Sequence, residues 1–183
     1  MSQDELSGHS LYHVVPTAMA GNLLYPLNRL RALHADLAET AARKYEGREA
    51  LMRARLPLLD CLWNDVIHLT PIHPSKTRRA LEVAGFPVRE IEFFSIPPAA
   101  LNAGAAVWFE NSREKGPDYR LDEDDFSIFN ERRYRELAAI PDIQHRYLEQ
   151  AKRSGERPLF WARVPHVLYP GEIDVRGLKV VAW

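Results

Sequence analysis

The chain has one cysteine, Cys61, among 183 residues. A single thiol excludes an intramolecular disulfide and every multi-cysteine zinc pattern, so a reducing, cytoplasmic compartment is the expectation. No apolar run is long enough to cross a bilayer: the stretch GNLLYPLNRL soon meets Asn28 and Arg29. The start, Met1-Ser2-Gln3-Asp4-Glu5, is acidic and lacks the apolar centre of a secretory signal. Excess charge is missing too. The 24 Lys and Arg against 25 Asp and Glu leave a net charge of -1, which excludes a generic polybasic protein but not a local anion site. The glycine-rich phosphate loops GxGxxG and GxxxxGK[ST] are absent, as is the nucleophile elbow GxSxG. There is no internal repeat and no low-complexity segment.

What is present is an ordinary globular balance, 46% hydrophobic and 27% charged. Residues 1–9 are polar and read as a flexible N-terminus; 10–183 read as one domain. Ser10–Val15 reads as a strand stopped by Pro16. Leu30, Leu33 and Leu37 recur at helical spacing, and Asp36 with Glu39 suggests a capping box opening a helix toward Tyr45. Glu49–Leu56 continues as helix until Pro57. Asp65–Thr70 is the clearest central strand, followed by a helix capped by Ser75 and stopped at Gly85. Glu90–Ile96 and Ala105–Glu110 are strands, and 111–125 is a polar loop. Phe126–Ala139 reads as a helix, Asp142 caps another reaching about Arg153, and Leu159–Val164 and Leu178–Trp183 read as strands. The irregular order predicts an α+β domain whose bent mixed or antiparallel sheet has two halves and flanking helices.

Three histidines lie in apolar strand contexts: His13 in LYHVV, His68 in VIHLT and His166 in VPHVLY. Each alone is the pattern of a hydrogen-bonded structural histidine; three together suggest imidazoles that orient a polar ligand. Arg48, beside Tyr45 and Gly47, offers stacking with a phosphate or carboxylate contact, although on spacing alone a helix–helix corner with solvated charges is the better fit. Cys61, Asp65 and His68 spell a thiol-based set, although flanking leucines and Trp63 make Cys61 read as a buried small hydrophobe. His68 and His73, with the acidic run Asp122–Asp125, allow a metal-dependent hydrolase as a further reading, but Pro71 and the lack of a third fixed ligand leave no metal residues to name. Basic residues gather in 43–79 (Arg43, Lys44, Arg48, Arg53, Arg55, Lys76, Arg78, Arg79), and acidic ones in 110–125. A convergent basic stretch suits phosphates and hence a nucleic-acid partner.

The succession Leu11-Tyr12-His13-Val14, Arg48, Leu56-Pro57 and Asp65–Pro71 resembles that of the DarT-type DNA ADP-ribosyltransferase toxins. VIHLTPIHPSKTRRALEVAG and Val164–Gly171 are similar to segments of small bacterial ADP-ribosyltransferase-like domains. Glu92–Ile96 is similar to a strand of NAD-dependent RNA phosphotransferases. The resemblance implies an NAD pocket where two half-sheets part, with NAD as cofactor and a macromolecular acceptor, nucleic acid among them. It implies that His13 holds a ribose, that Tyr12, Tyr25, Tyr45, His68 and Thr70 line the cofactor site, and that Arg48 is catalytic. The late-strand carboxylate that stabilises the developing cation falls on His166, a departure from the family pattern. Glu172, six residues on, is the expected substitute. Without that carboxylate, the resemblance also fits a nucleotide- or partner-binding domain that has lost catalysis.

Overall fold

The computed structural model describes residues 10–101, 104–108 and 121–183. The expected N-terminal segment 1–9, most of the acidic loop and Glu110 lie outside them. In chain order, β1 (Leu11–Val14), β2 (Leu23–Leu24), α1 (Leu27–Leu33) and α2 (Ala35–Ala42) precede short 3-10 turns at Arg43–Tyr45 and Glu49–Arg53. Then come β3 (Arg55–Leu56), β4 (Cys61–Leu62), a 3-10 turn at Trp63–Asp65, β5 (Ile67–Leu69), α3 (Pro74–Val83), β6 (Glu92–Ile96), β7 (Ala106–Trp108) and β8 (Phe126–Ile128). The chain finishes with α4 (Asp142–Ser154), β9 (His166–Tyr169), β10 (Ile173–Asp174) and β11 (Lys179–Ala182).

The strands form two main sheets, one ordered β1-β6-β11 and one ordered β5-β9-β7-β8, plus the ribbons β10-β2 and β3-β4. Every strand pair among the described residues is antiparallel. Alternation assigns the faces. Leu11, Phe94 and Ile96 from the first sheet meet Ile67, Leu69, Val167 and Tyr169 from the second in one apolar cluster. Behind the first sheet, Phe93 packs on Ala80 and Leu81 of α3, Leu148 of α4 and Trp183. Behind the second, Leu168 and Trp108 pack on Leu27, Ala38, Tyr45, Leu56 and Trp63. The result is an α+β domain with helical layers outside two facing sheets. One isolated bridge joins the sheets: the Tyr12 amide donates to the Thr70 carbonyl at 2.9 Å, and the Thr70 amide returns the bond to Tyr12 at 3.0 Å. No helix among the described residues is long and apolar enough to cross a membrane.

Several local expectations are corrected. Phe126–Ala139 is not a helix. Phe126 and Ile128 pair with Trp108 and Ala106, and a 3-10 turn at Glu131–Arg133 follows. The Leu137 amide donates to the Pro71 carbonyl and the Tyr134 hydroxyl to the Ser10 carbonyl, so tertiary partners take what a helix would use. Leu159–Val164 is a turn, not a strand, with Arg163 at φ 61 and the Ala162 amide bonded to the Leu159 carbonyl. Glu49–Leu56 ends its 3-10 turn at Arg53, because Arg55 and Leu56 pair with Leu62 and Cys61. His34, not Asp36, precedes α2, and no side chain caps that helix. His73, not Ser75, caps α3, its Nδ1 accepting from the Ser75 amide at 3.3 Å. Pro141, not Asp142, sits at the cap of α4, and Gly155 closes that helix at φ 72, where glycine alone is unstrained.

Leu69 is fully buried between the sheets and Val83 of α3 is 76% exposed. Urea unfolding should show Leu69→Ala losing about 2–5 kcal/mol and Val83→Ala changing stability by no more than about 0.5 kcal/mol. Comparable losses for the two would refute the facing-sheet core.

Candidate functional site

β5 and β9 run side by side, with Ile67 and Leu69 of β5 and Val167 and Tyr169 of β9 facing the inter-sheet core. His68, His166 and Trp108 therefore point to the opposite face. The His68 and His166 rings stand 6.1 Å apart, edge to face. Trp63 lies 4.5 Å from the His68 ring and 5.1 Å from Trp108; Trp108 and Trp161 lie 5.6 and 6.4 Å from His166. His13, on β1, is close enough that a proton on it would oppose one on His68. The three strand histidines thus share one electrostatic neighbourhood.

A short polar chain extends from them. His68 Nε2 donates to the Trp63 carbonyl at 3.0 Å, and the Trp63 indole donates to the Tyr45 hydroxyl at 3.2 Å. The Lys44 ammonium and the Arg48 guanidinium sit 5.2 and 5.9 Å from the centre of the Tyr45 ring. Arg48 also donates to the Lys44 carbonyl. Gly47, at φ 76, makes the turn that brings Arg48 back onto Tyr45.

Burial sets the charge state. It pulls the imidazoles of His13 and His166 down to about 4. For His13 the Lys44 charge adds to the effect, while its Nδ1–H bond to the Val14 carbonyl, 2.7 Å, opposes it. His68 is lowered well below its ordinary value by burial, then by His166 and Lys44. Lys44 is lowered by burial and by Arg48. By surface area Lys44 is exposed and His13 and His68 are half-buried, yet protein surrounds their nitrogens; the area governs access and the surroundings govern charge. At neutral pH the imidazoles are uncharged. The bonds to Val14 and Trp63 place the protons on His13 Nδ1 and His68 Nε2, leaving His13 Nε2 and His68 Nδ1 as acceptors. Two of the buried polar atoms without a hydrogen-bond partner among the described residues belong to this ring cluster: Nδ1 of His166, which is 9% exposed, and the indole nitrogen of Trp108, which is 6% exposed. The Val164 backbone opposes the effect of burial on the His166 imidazole, although no hydrogen bond to Nδ1 meets ordinary geometry.

Of the residues the sequence singled out, His68 and His166 share one face, Tyr45 and Arg48 join them through Trp63, and His13, on the Leu11 side of β1, reaches His68 only through its charge. The others go elsewhere. The Tyr12 hydroxyl donates to Glu136 at 2.9 Å and its ring packs 5.2 Å from His73. Thr70 is buried, its hydroxyl accepting from the Ile72 amide at 3.3 Å. The Tyr25 ring lies 6.1 Å from His34. Glu172 is bound by Arg29 at 3.1 Å and lines a separate cavity of about 670 Å³ with Asn28, Asp65 and Tyr169. A Cβ at Gly171, which lines that cavity, would sit 2.4 Å from the end of the Tyr169 ring, so a larger residue there requires the ring to move.

The thiol set does not form. Asp65 accepts from Asn28 and from the Leu62 amide, and burial followed by the Asp65 charge pushes the Cys61 thiol up. His73 bonds Ser75 while His68 bonds Trp63, and among the described residues no three His, Cys, Asp or Glu are grouped to hold a metal ion. Sequence reasoning placed Lys44 only in a basic stretch and missed Trp63 and Trp108 as site residues. Lys44 was legible as the partner of Arg48 at i, i+4 across Tyr45. The basic stretch divides: Arg55 pairs with Asp60 and Arg78 with Glu82 and Glu90, while Lys76 and Arg79 face another groove.

Comparison with family models, with curated proteins and with solved structures gave no match to this chain.

The lowered imidazoles fix a pH response. Unfolded histidine takes up a proton near 6.5, whereas native His13 and His166 stay neutral down to about 4. Between those values the unfolded state binds more protons, so stability is full above pH 6.5 and falls as pH drops. Each imidazole contributes a slope of at most about 1.4 kcal/mol per pH unit. Urea unfolding between pH 7 and pH 5.5 should show this decline, and His166→Asn should make it shallower. A wild-type stability that is flat over that range would show that these imidazoles titrate normally.

Proposed function

We propose that the chain is an NAD-dependent, ADP-ribosyltransferase-like protein whose ligand site is the His13–His68–His166 neighbourhood. The observation that carries this reading is the pairing of the neutral His68 and His166 rings, with His13 within electrostatic reach of His68, near the Lys44 and Arg48 cations. A dinucleotide needs both kinds of group. Ribose hydroxyls donate to bare imidazole nitrogens, here His13 Nε2 and His68 Nδ1. A pyrophosphate needs cations, and Lys44 and Arg48 supply them over Tyr45. The unpartnered nitrogens of His166 and Trp108 fit a ligand with polar edges. NAD would bring a glycosidic bond whose cleavage frees nicotinamide; the protein's part is to bind the sugar and the phosphates and to hold the imidazoles uncharged. The acceptor in this reading is macromolecular. Arg43 and Arg53, exposed beside Lys44 and Arg48 and without ion pairs among the described residues, favour nucleic acid.

One observation favours a second reading, a nucleotide-binding domain without transfer. The late-strand position carries neutral His166, and Glu172 is held by Arg29 at the other cavity. A neutral imidazole stabilises a developing cation less well than a carboxylate does.

Calorimetric titration with NAD, run beside an assay of nicotinamide release with single-stranded DNA and RNA present, separates these outcomes. Wild type should bind NAD, and Arg48→Ala and His13→Ala should each weaken binding about tenfold or more while retaining the wild-type circular dichroism. Binding with nicotinamide release supports the transferase. Binding without release supports the second reading. No binding by wild type overturns both.

A further inference from the structure

A second concavity lies on the opposite flank of the molecule, between α3 and the segment leading into α4. It holds about 240 Å³ and is lined by Lys76, Arg79 and His145 around Ala80, Val83 and Ile140. No carboxylate lines it. Of the acids on the two helices, Glu82 is bound by Arg78 at 2.8 Å and Glu149 lies 3.7 Å from Arg153, while Asp142, exposed at the start of α4, stands next to the groove without lining it. Lys76 is anchored by its bond to the Leu137 carbonyl at 2.8 Å, which fixes its ammonium at the rim. Arg79 makes no hydrogen bond or ion pair among the described residues and is exposed. Val83 is 76% exposed, the most open large aliphatic side chain of the helix.

The chemistry of this groove is mixed, and the mixture discriminates between ligands. A volume near 240 Å³ is below the usual range of cofactor pockets, about 300–1,000 Å³, and suits one inserted side chain. The floor is aliphatic with no aromatic ring to stack a base, which argues against a single-stranded nucleic acid. A cationic rim over an aliphatic floor matches a peptide that carries carboxylates around an apolar anchor.

We propose that this groove docks an acidic peptide segment of a partner protein. Its carboxylates meet Lys76 and Arg79, and one apolar side chain fills the space over Ala80 and Val83. The groove shares no lining residue with the His13–His68–His166 neighbourhood and does not depend on the NAD reading.

The test is a nitrogen-15 NMR titration of the full chain with a short synthetic peptide of Asp and Glu bearing a single central Leu. Shifts should concentrate at residues of α3 and the start of α4. Arg79→Glu and Val83→Glu, both at exposed positions and so expected to stay folded, should each weaken binding about tenfold or more. Raising the salt should weaken it as well. Three results would overturn the proposal: no shifts at millimolar peptide, equal binding by the same peptide with Ser in place of Leu, or shifts at these residues produced by oligothymidylate but not by the peptide.

Discussion

Tyr12 and Thr70 exchange two backbone hydrogen bonds, and the relation between the two sheets depends on that exchange. On one side of it β1 stays with β6; on the other, β5 stays with β9. Strands held together along their whole length would make one continuous sheet with a single core. Strands held at one pair diverge, and the apolar side chains between them, from Leu11 and Ile96 to Leu69 and Val167, fill the wedge. The residue after Tyr12 and the residue two before Thr70 are both histidines.

That neighbourhood is unusual in its charge. Burial drives the imidazoles toward the neutral form, and the nearby cations reinforce the effect. A histidine cluster is easily taken for a positively charged anion site. Here the positive charge is supplied by Lys44 and Arg48, on a turn distant in sequence from the strands, while the imidazoles act as dipoles with fixed tautomers. The two kinds of group offer different chemistry: positive charge from Lys44 and Arg48, lone pairs from the imidazoles.

Much of the frame was legible in the sequence because strand signals here are strong and local. LYHV, IHL, EFFSI and HVLY combine β-branched or aromatic residues with nearby proline, and each is a strand. α3 and α4 were legible from their glycine stops. The segment after Phe126 was not. Its composition suits a helix, but its backbone groups bond to Pro71 and β7, partners distant in sequence. Leu159–Val164 misled in the opposite way: its aromatic residues look like a strand, yet Phe160 and Trp161 pack as a turn against Phe93 and Trp183, and the Phe160 carbonyl receives Gln144. At the site, the three histidines were legible by residue type and strand context. The indoles beside them were not, since a tryptophan in a strand or turn reads equally as core.

The placement of those indoles has an optical consequence. The chain holds four tryptophans, and three of them, Trp63, Trp108 and Trp161, have a histidine ring within 6.4 Å. Trp183 packs instead on Phe93 and Phe160. Three of the four indoles therefore stand beside an imidazole, where protonation, a bound ring or an entering solvent molecule would alter the intensity or colour of their emission. The protein carries its own fluorophores at the place where a ligand is expected to sit.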